Sequence, residues 1–253
     1  MTVVSANGHL FDVSCIVFDK DGTLLDFDFT WGHRTATWVR TLAASAPGNK
    51  SQFEYFSQAI GYDWKNQTVL ADGPIAVTTA LKLMTLAAGA LYQQGLPWHE
   101  AERLAVETIR QTMGPPMQAA EIRPVGDVIG TIKRFKKAGL LMAVATGDDR
   151  DPTESSLSLL GIAEDMEAVV CGDDPLPEKP DPAALLHLGI ETGIPTSQML
   201  MVGDSVNDML TGRNAKVAGC IGISGSTGNP VELAAHADVV LSSIDQLAVV
   251  EPV

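Results

Sequence analysis

The chain has 253 residues, 45% hydrophobic and 19% charged, with a formal net charge of −14 and a pI of about 4.6. A chain of that length and composition buries a substantial core, which excludes disorder and fibrous repeats. The acidic balance supplies no basic face for a nucleic-acid footprint, so no nucleic acid is expected as a partner and the charge is read as serving solubility.

Residues 1–8 carry neither a basic stretch nor a long apolar run, so no secretory leader is read and the chain is expected to stay in the cytoplasm. Cys15, Cys171 and Cys220 lie far apart beside apolar runs and form no CxxC pair, a pattern that predicts buried thiols in a reducing compartment. His9, His33, His99, His187 and His236 are scattered without metal-ligand spacing.

The first strong element is the apolar run from Val13 to Phe18, a buried-type strand, followed directly by Asp19-Lys20-Asp21-Gly22-Thr23-Leu24-Leu25. A parallel sheet builds its site at the carboxyl ends of its strands, so two carboxylates released there into a glycine turn suggest covalent phosphoryl chemistry. Residues i and i+2 of an extended segment share a side. Asp19 and Asp21 are therefore expected to converge, with Lys20 facing the opposite way and outside the chemistry. Asp-x-Asp-Gly is also a fragment of a calcium loop, but the apolar neighbours Ile16, Val17, Phe18, Leu24 and Leu25 do not supply the remaining oxygen ligands.

The next hundred residues read as helices: Thr30 to Ala46, Ser51 to Ile60, Ile75 to Tyr92 and Pro97 to Met113. Pro47-Gly48-Asn49, Gly61-Tyr62-Asp63 and Gln94-Gly95-Leu96-Pro97 punctuate them. Ile75 to Tyr92 comes nearest to a membrane span, but Lys82 and three threonines make it a buried helix, and no membrane partner is expected. Trp31, His33, Arg34, Tyr62 and Lys65 in this region are weighed as substrate contacts, with packing or solvated surface the plainer reading of each.

From Val125 onward helix and strand alternate. Helices are predicted over Gly126 to Ala138, Pro152 to Leu160, Asp181 to Thr192 and Asn207 to Lys216. Strands are predicted over Leu140 to Thr146, Ala168 to Cys171, Met199 to Val202, Ala218 to Ile223 and Asp238 to Leu241. Such alternation implies an α/β fold with a parallel sheet covered on both faces. The expected division is an α/β core of residues 1–28 and 119–253, interrupted by an all-α cap over 29–118, with hinges near Asp26-Phe27-Asp28 and Met113 to Pro116. The glycine-rich stretch Gly222 to Gly228 lacks the dinucleotide and Walker spacings and is read as a flexible loop.

Four polar groups fall at strand ends or before helices: Phe18-Asp19-Lys20-Asp21-Gly22-Thr23-Leu24, Ala145-Thr146-Gly147, Lys179-Pro180 and Gly203-Asp204-Ser205-Val206-Asn207-Asp208. In this order they resemble the four motifs of the haloacid dehalogenase superfamily, in particular its phosphoglycolate phosphatase-like branch with a helical cap. The resemblance covers nearly the whole core, whereas Phe29 to Gln118 matches by position and helical character only. It implies a three-layer Rossmann-like core and hydrolysis of a small phosphorylated metabolite through an aspartyl phosphate, with the oligomeric state left open.

Carried over residue by residue, Asp19 is the nucleophile and Asp21 the acid and then the base. Bringing a carboxylate to a phosphate dianion costs about 4 kcal/mol per unit charge pair at about 4 Å and an effective dielectric of about 20. Cations must offset this. Lys179 is the fixed positive charge that bridges nucleophile and phosphoryl oxygens, and Thr146 with Gly147 donates to a phosphoryl oxygen. The resemblance also implies Mg2+, which suits an oxygen-only set, held by the Asp19 carboxylate, the Asp21 main-chain carbonyl and Asp204. Asp208 sits at the edge of that set, binding directly or through water, with capping of the following helix as its alternative role. Asp21 speaks against a dehalogenase, which needs no such acid. A sugar phosphomutase retains both aspartates and stays the main alternative, followed by a non-catalytic protein that binds a phosphorylated metabolite.

Overall fold

The structure is a computed structural model that describes residues 1–47 and 52–250. The expected break at Gly48-Asn49 and the expected helix start at Ser51 lie outside the described residues. The chain divides into two compact units, Met1–Asp26 with Gln118–Val253, and Phe27–Met117.

The first unit begins with an antiparallel pair, β1 (Thr2–Ala6) and β2 (His9–Val13), closed by a tight turn in which Asn7 and Gly8 both take positive φ. β3 (Cys15–Phe18) follows with all four residues buried. The second unit holds α1 (His33–Ser45), α2 (Gln52–Ile60), the short strands β4 (Tyr62–Asp63) and β5 (Thr68–Val69), α3 (Pro74–Val77), α4 (Ala80–Gln93) and α5 (Trp98–Thr112). It is thus helical apart from one small antiparallel ribbon, where Asp63 gathers the turn by accepting from the amides of Lys65 and Asn66.

The expected single helix over Ile75 to Tyr92 is two helices. Its β-branched run Val77-Thr78-Thr79 breaks the ladder, with Thr78 and Thr79 extended and the Thr78 hydroxyl turned back to the Pro74 carbonyl at 2.9 Å. Among the described residues, no helix is long and apolar enough to cross a membrane. Arg34 is buried, and its guanidinium donates to the main-chain carbonyls of Met113, Pro115 and Pro116. It fastens the end of its own unit, which agrees with the packing reading. His33 and Lys65 are exposed and Tyr62 is buried.

Back in the first unit run α6 (Val128–Lys137), β6 (Leu141–Ala145), α7 (Arg150–Leu160), β7 (Ala168–Val170), α8 (Ala183–Thr192), β8 (Met199–Gly203), α9 (Val206–Ala215), β9 (Gly219–Ile223), α10 (Pro230–Ala234), β10 (Val239–Leu241) and β11 (Leu247–Val249). α6 shows why such segments fold as they do. Asp127 caps it by accepting from the Gly130 amide, Arg134, Lys136 and Lys137 lie at its negative end, and Val128, Thr131, Ile132 and Phe135 form its buried stripe.

Six strands form one parallel sheet in the order β10-β9-β8-β3-β6-β7. Alternate residues of β3 supply the two faces. Ile16 and Phe18 pack with Val128, Ile132 and Phe135, whereas Cys15 and Val17 pack with Leu185, Leu188 and Met209 of α8 and α9. Helices cover both faces, as the unbroken apolar runs of the strands require. The three cysteines are free and buried. β11 adds to β1 and β2 in a separate three-stranded antiparallel sheet.

Candidate active site

β3 lies between β8 and β6, so the chain leaves the sheet centre in one direction for β6 and β7 and in the other for β8, β9 and β10. Ligands of open parallel sheets bind at this kind of reversal, beyond the carboxyl ends of the strands. Asp19 stands there. Its amide donates to the Val202 carbonyl at 2.8 Å, which extends the ladder by one residue past β3 and fixes the side chain on a rigid base. Asp204 follows β8 directly, and Thr146 follows β6 with its amide on the Val170 carbonyl at 3.0 Å.

Lys179 reaches this point from the segment between β7 and α8. Its ammonium donates to Asp19 at 2.8 Å and to Asp208 at 2.5 Å. Asp208 is buried in the first turn of α9 and accepts from both the amide and the hydroxyl of Ser205, whose oxygen accepts in return from the Asp208 amide at 3.2 Å. This reciprocal cap fixes the helix start and the carboxylate together. Both roles weighed for Asp208 therefore fall on one side chain: it caps α9 and it faces the lysine. One carboxylate oxygen from each of Asp19, Asp204 and Asp208 lies within 4.8 Å of the others.

Burial dominates the electrostatics. It pushes the Asp19 carboxyl up to about 7, opposed by Lys179 and aided by Asp208. Burial also raises Asp204 well above the ordinary carboxylate range, with the charges of Asp19 and Asp208 adding to it. At Lys179 burial opposes the charge, but Asp19 and Asp208 outweigh it and raise the pKa. Three converging carboxylates and one ammonium form a set with excess negative charge and only oxygen donors. Its chemistry fits a hard divalent cation.

The Asp21 carboxylate does not join that set. Its oxygen accepts from Lys20 at 2.5 Å, and the Lys20 ammonium also stands 3.0 Å from Asp148. Lys20 is fully buried with its ammonium on Asp21, so the expectation that it faces the opposite way is corrected. Strand alternation ends at Phe18, and the chain turns at once: the amides of Leu24 and Leu25 bond the Lys20 carbonyl, and that of Gly22 bonds the Leu25 carbonyl. Past the strand the i, i+2 rule no longer sets side-chain direction. Burial pushes the Asp148 carboxyl up to about 6 against the opposing charge of Lys20. Thr146 is buried and its hydroxyl accepts from the Asp148 amide at 3.2 Å, while Gly147 beside it is exposed.

The Gly222 to Gly228 stretch, expected as a flexible loop, has a definite task in the structure. The Thr227 hydroxyl donates to Asp204, and Gly22 fills the space beside the same carboxylate. A Cβ at Gly22 would overlap Asp204 and Thr227, and its φ of 85 disfavours any side chain. Gly22→Ala is expected to cost about 1–2 kcal/mol in backbone strain and to lower turnover by more than that strain accounts for, because Asp204 must move. Denaturant midpoints measured beside turnover check this; a stability loss with unchanged turnover would contradict it. No spacing in the sequence marks Thr227 or Asp148, whereas Ser205 with Asp208 three residues on has the spacing of a helix cap.

An aspartate at the central strand end, a lysine on it and two acidic residues from the neighbouring strand and helix form one oxygen-rich cluster on an α/β sheet. Residues 13–216 match the haloacid dehalogenase-like hydrolases, and the chain belongs to that family. A phosphoglycolate phosphatase of Agrobacterium fabrum is 31% identical over 240 residues, covering 93% of this chain and 90% of the relative. That of Pseudomonas fluorescens is 29% identical over 209 residues, covering 83% and 68%. Among solved structures, CbbY of Rhodobacter sphaeroides in complex with phosphate shares the fold at a TM-score of 0.61 and 21% identity, covering 92% of this chain and 95% of that one.

Proposed function

We propose that this chain, a phosphatase of the haloacid dehalogenase-like hydrolases, is a cytoplasmic, magnesium-dependent phosphomonoester hydrolase acting through an aspartyl phosphate on Asp19. The observation that carries the proposal is the placement of Asp19 at the sheet centre under the Lys179 ammonium, with Asp204 and Asp208 beside it. The relatives that act on phosphoglycolate support a small phosphorylated metabolite of that kind as substrate. The buried free thiols agree with a reducing compartment.

In this reading an Asp19 oxygen attacks phosphorus and the bond to the leaving oxygen breaks, while Asp21 gives that oxygen its proton. Water then attacks the phosphorus of the aspartyl phosphate and Asp21 takes the proton back, freeing inorganic phosphate and restoring Asp19. One difficult displacement becomes two easier ones. Lys179 neutralises the nucleophile and the phosphoryl oxygens throughout. Thr146 and Gly147 orient the phosphoryl group. Mg2+ would be held by Asp19, Asp204 and the Asp21 carbonyl, with Asp208 directly or through water, and would supply charge neutralisation for the dianion when bound.

Purified protein is assayed with p-nitrophenyl phosphate and with phosphoglycolate, after chelation and after magnesium is restored. Inorganic phosphate release from both, abolished by chelation and recovered with magnesium, is the expected result. Release that is indifferent to the metal, or no release from either compound, would overturn the reading.

A further inference from the structure

The Lys20 side chain has no solvent exposure, and its ammonium stands 2.5 Å from Asp21 and 3.0 Å from Asp148. A buried ammonium is kept only where carboxylates repay the lost hydration. Here they come from two different strand ends, since Asp21 lies past β3 and Asp148 past the neighbouring β6. Asp148 is itself firmly set. Its amide bonds the Thr146 hydroxyl at 3.2 Å, its carbonyl accepts from Gly172 at 2.7 Å, and its second carboxylate oxygen accepts from the Asp149 amide at 2.9 Å. Gly172 allows this approach, because a Cβ there would overlap the Gly147 carbonyl. A rigid line thus runs from the end of β6 through Asp148 and Lys20 to one oxygen of Asp21.

We propose that Lys20, anchored by Asp148, is a positioning residue that fixes the Asp21 carboxyl in the orientation from which it protonates the leaving oxygen. The inference deepens the phosphatase reading above and rests on it. An aspartate side chain has two rotatable bonds that each partner restricts, and a proton donor loses most of its effect once it leaves hydrogen-bond reach of the accepting oxygen. With one carboxyl oxygen tied to Lys20, the other has a fixed place.

The test is a series of substituted phenyl phosphates of graded leaving-group acidity, read as kcat/KM, which reports steps up to the first bond cleavage. p-Nitrophenolate leaves without a proton, whereas unsubstituted phenolate and poorer leaving groups need one. Wild-type enzyme is expected to vary little across the series, and Asp21→Asn steeply. Lys20→Met is expected to follow Asp21→Asn, losing about 100-fold on the poorest leaving group and less than about threefold on p-nitrophenyl phosphate, a split typical of impaired proton transfer. Asp148→Asn, which keeps the Lys20 and Asp21 side chains but loosens the anchor, is expected to fall between wild type and Asp21→Asn and decides the matter if Lys20→Met does not fold. An equal loss across the series, or none, would overturn the inference and assign Lys20 to stability alone. Asp19→Asn is run alongside. Undiminished turnover there would remove the phosphatase reading itself, a result distinct from a uniform loss in the Lys20 variant.

Discussion

Asp19→Asn is expected to lower turnover of p-nitrophenyl phosphate by at least about four orders of magnitude, as loss of a covalent nucleophile does elsewhere, while the protein stays folded. The amide keeps the size and one acceptor of the carboxylate, so the Lys179 ammonium retains a partner at this position. What disappears is the nucleophile. The same change removes one of three mutually close carboxylates, two of them buried, and burial with repulsion already pushes Asp19 up to about 7. Stability is therefore expected to hold or to rise by about 1–2 kcal/mol, the trade-off common at sites that concentrate like charge. Steady-state kinetics and a denaturant titration on one preparation check both halves. Turnover within tenfold of wild type would contradict the assignment.

Lys179→Met is expected to cost both function and stability, in a way that a second substitution separates. The ammonium joins Asp19 at 2.8 Å to Asp208 at 2.5 Å, and both carboxylates are buried. Removing it leaves them without that cation, and breaking a buried pair from one side costs about 3–5 kcal/mol. Activity is expected to fall by about 10³-fold, the scale seen when one fixed stabiliser of developing charge is deleted. Adding Asp208→Asn to Lys179→Met removes one stranded charge and is expected to restore part of the stability but none of the activity. The coupling between the two sites, read from the double-mutant cycle in denaturant, isolates the pair. Full recovery of turnover in the double variant would show that Lys179 serves only to hold Asp208.

Much of this was readable in the sequence because it depends on local pattern. Apolar runs that end in polar groups placed Asp19, Thr146 and Asp204 at strand ends, and helix–strand alternation gave the parallel sheet and its two covered faces. The order of the strands was not readable, because β8 joins β3 across 180 residues of intervening chain with no local signal. The side-chain bonds were hidden for the same reason. Lys20 lies next to Asp21 in sequence, but its second partner Asp148 comes from another strand end, and Thr227 meets Asp204 from a stretch that composition marks only as glycine-rich. The hairpin of β1 and β2 was within reach, since Asn7-Gly8 is a strong turn signal. Its strands are short and half-exposed, so no apolar run marks them, and β11, which completes their sheet, is at the other end of the chain.

The central claim is that phosphoryl transfer passes through Asp19 itself. Mixing enzyme with excess substrate, quenching in acid within the first turnovers and mapping peptides by mass spectrometry tests it most directly. The account predicts one added phosphoryl group, labile in mild base, on the Asp19 carboxyl of the peptide containing Asp19-Lys20-Asp21, and none in Asp19→Asn. A phosphoryl group on another residue, or rapid phosphate release with no phosphorylated peptide at any quench time, would contradict it.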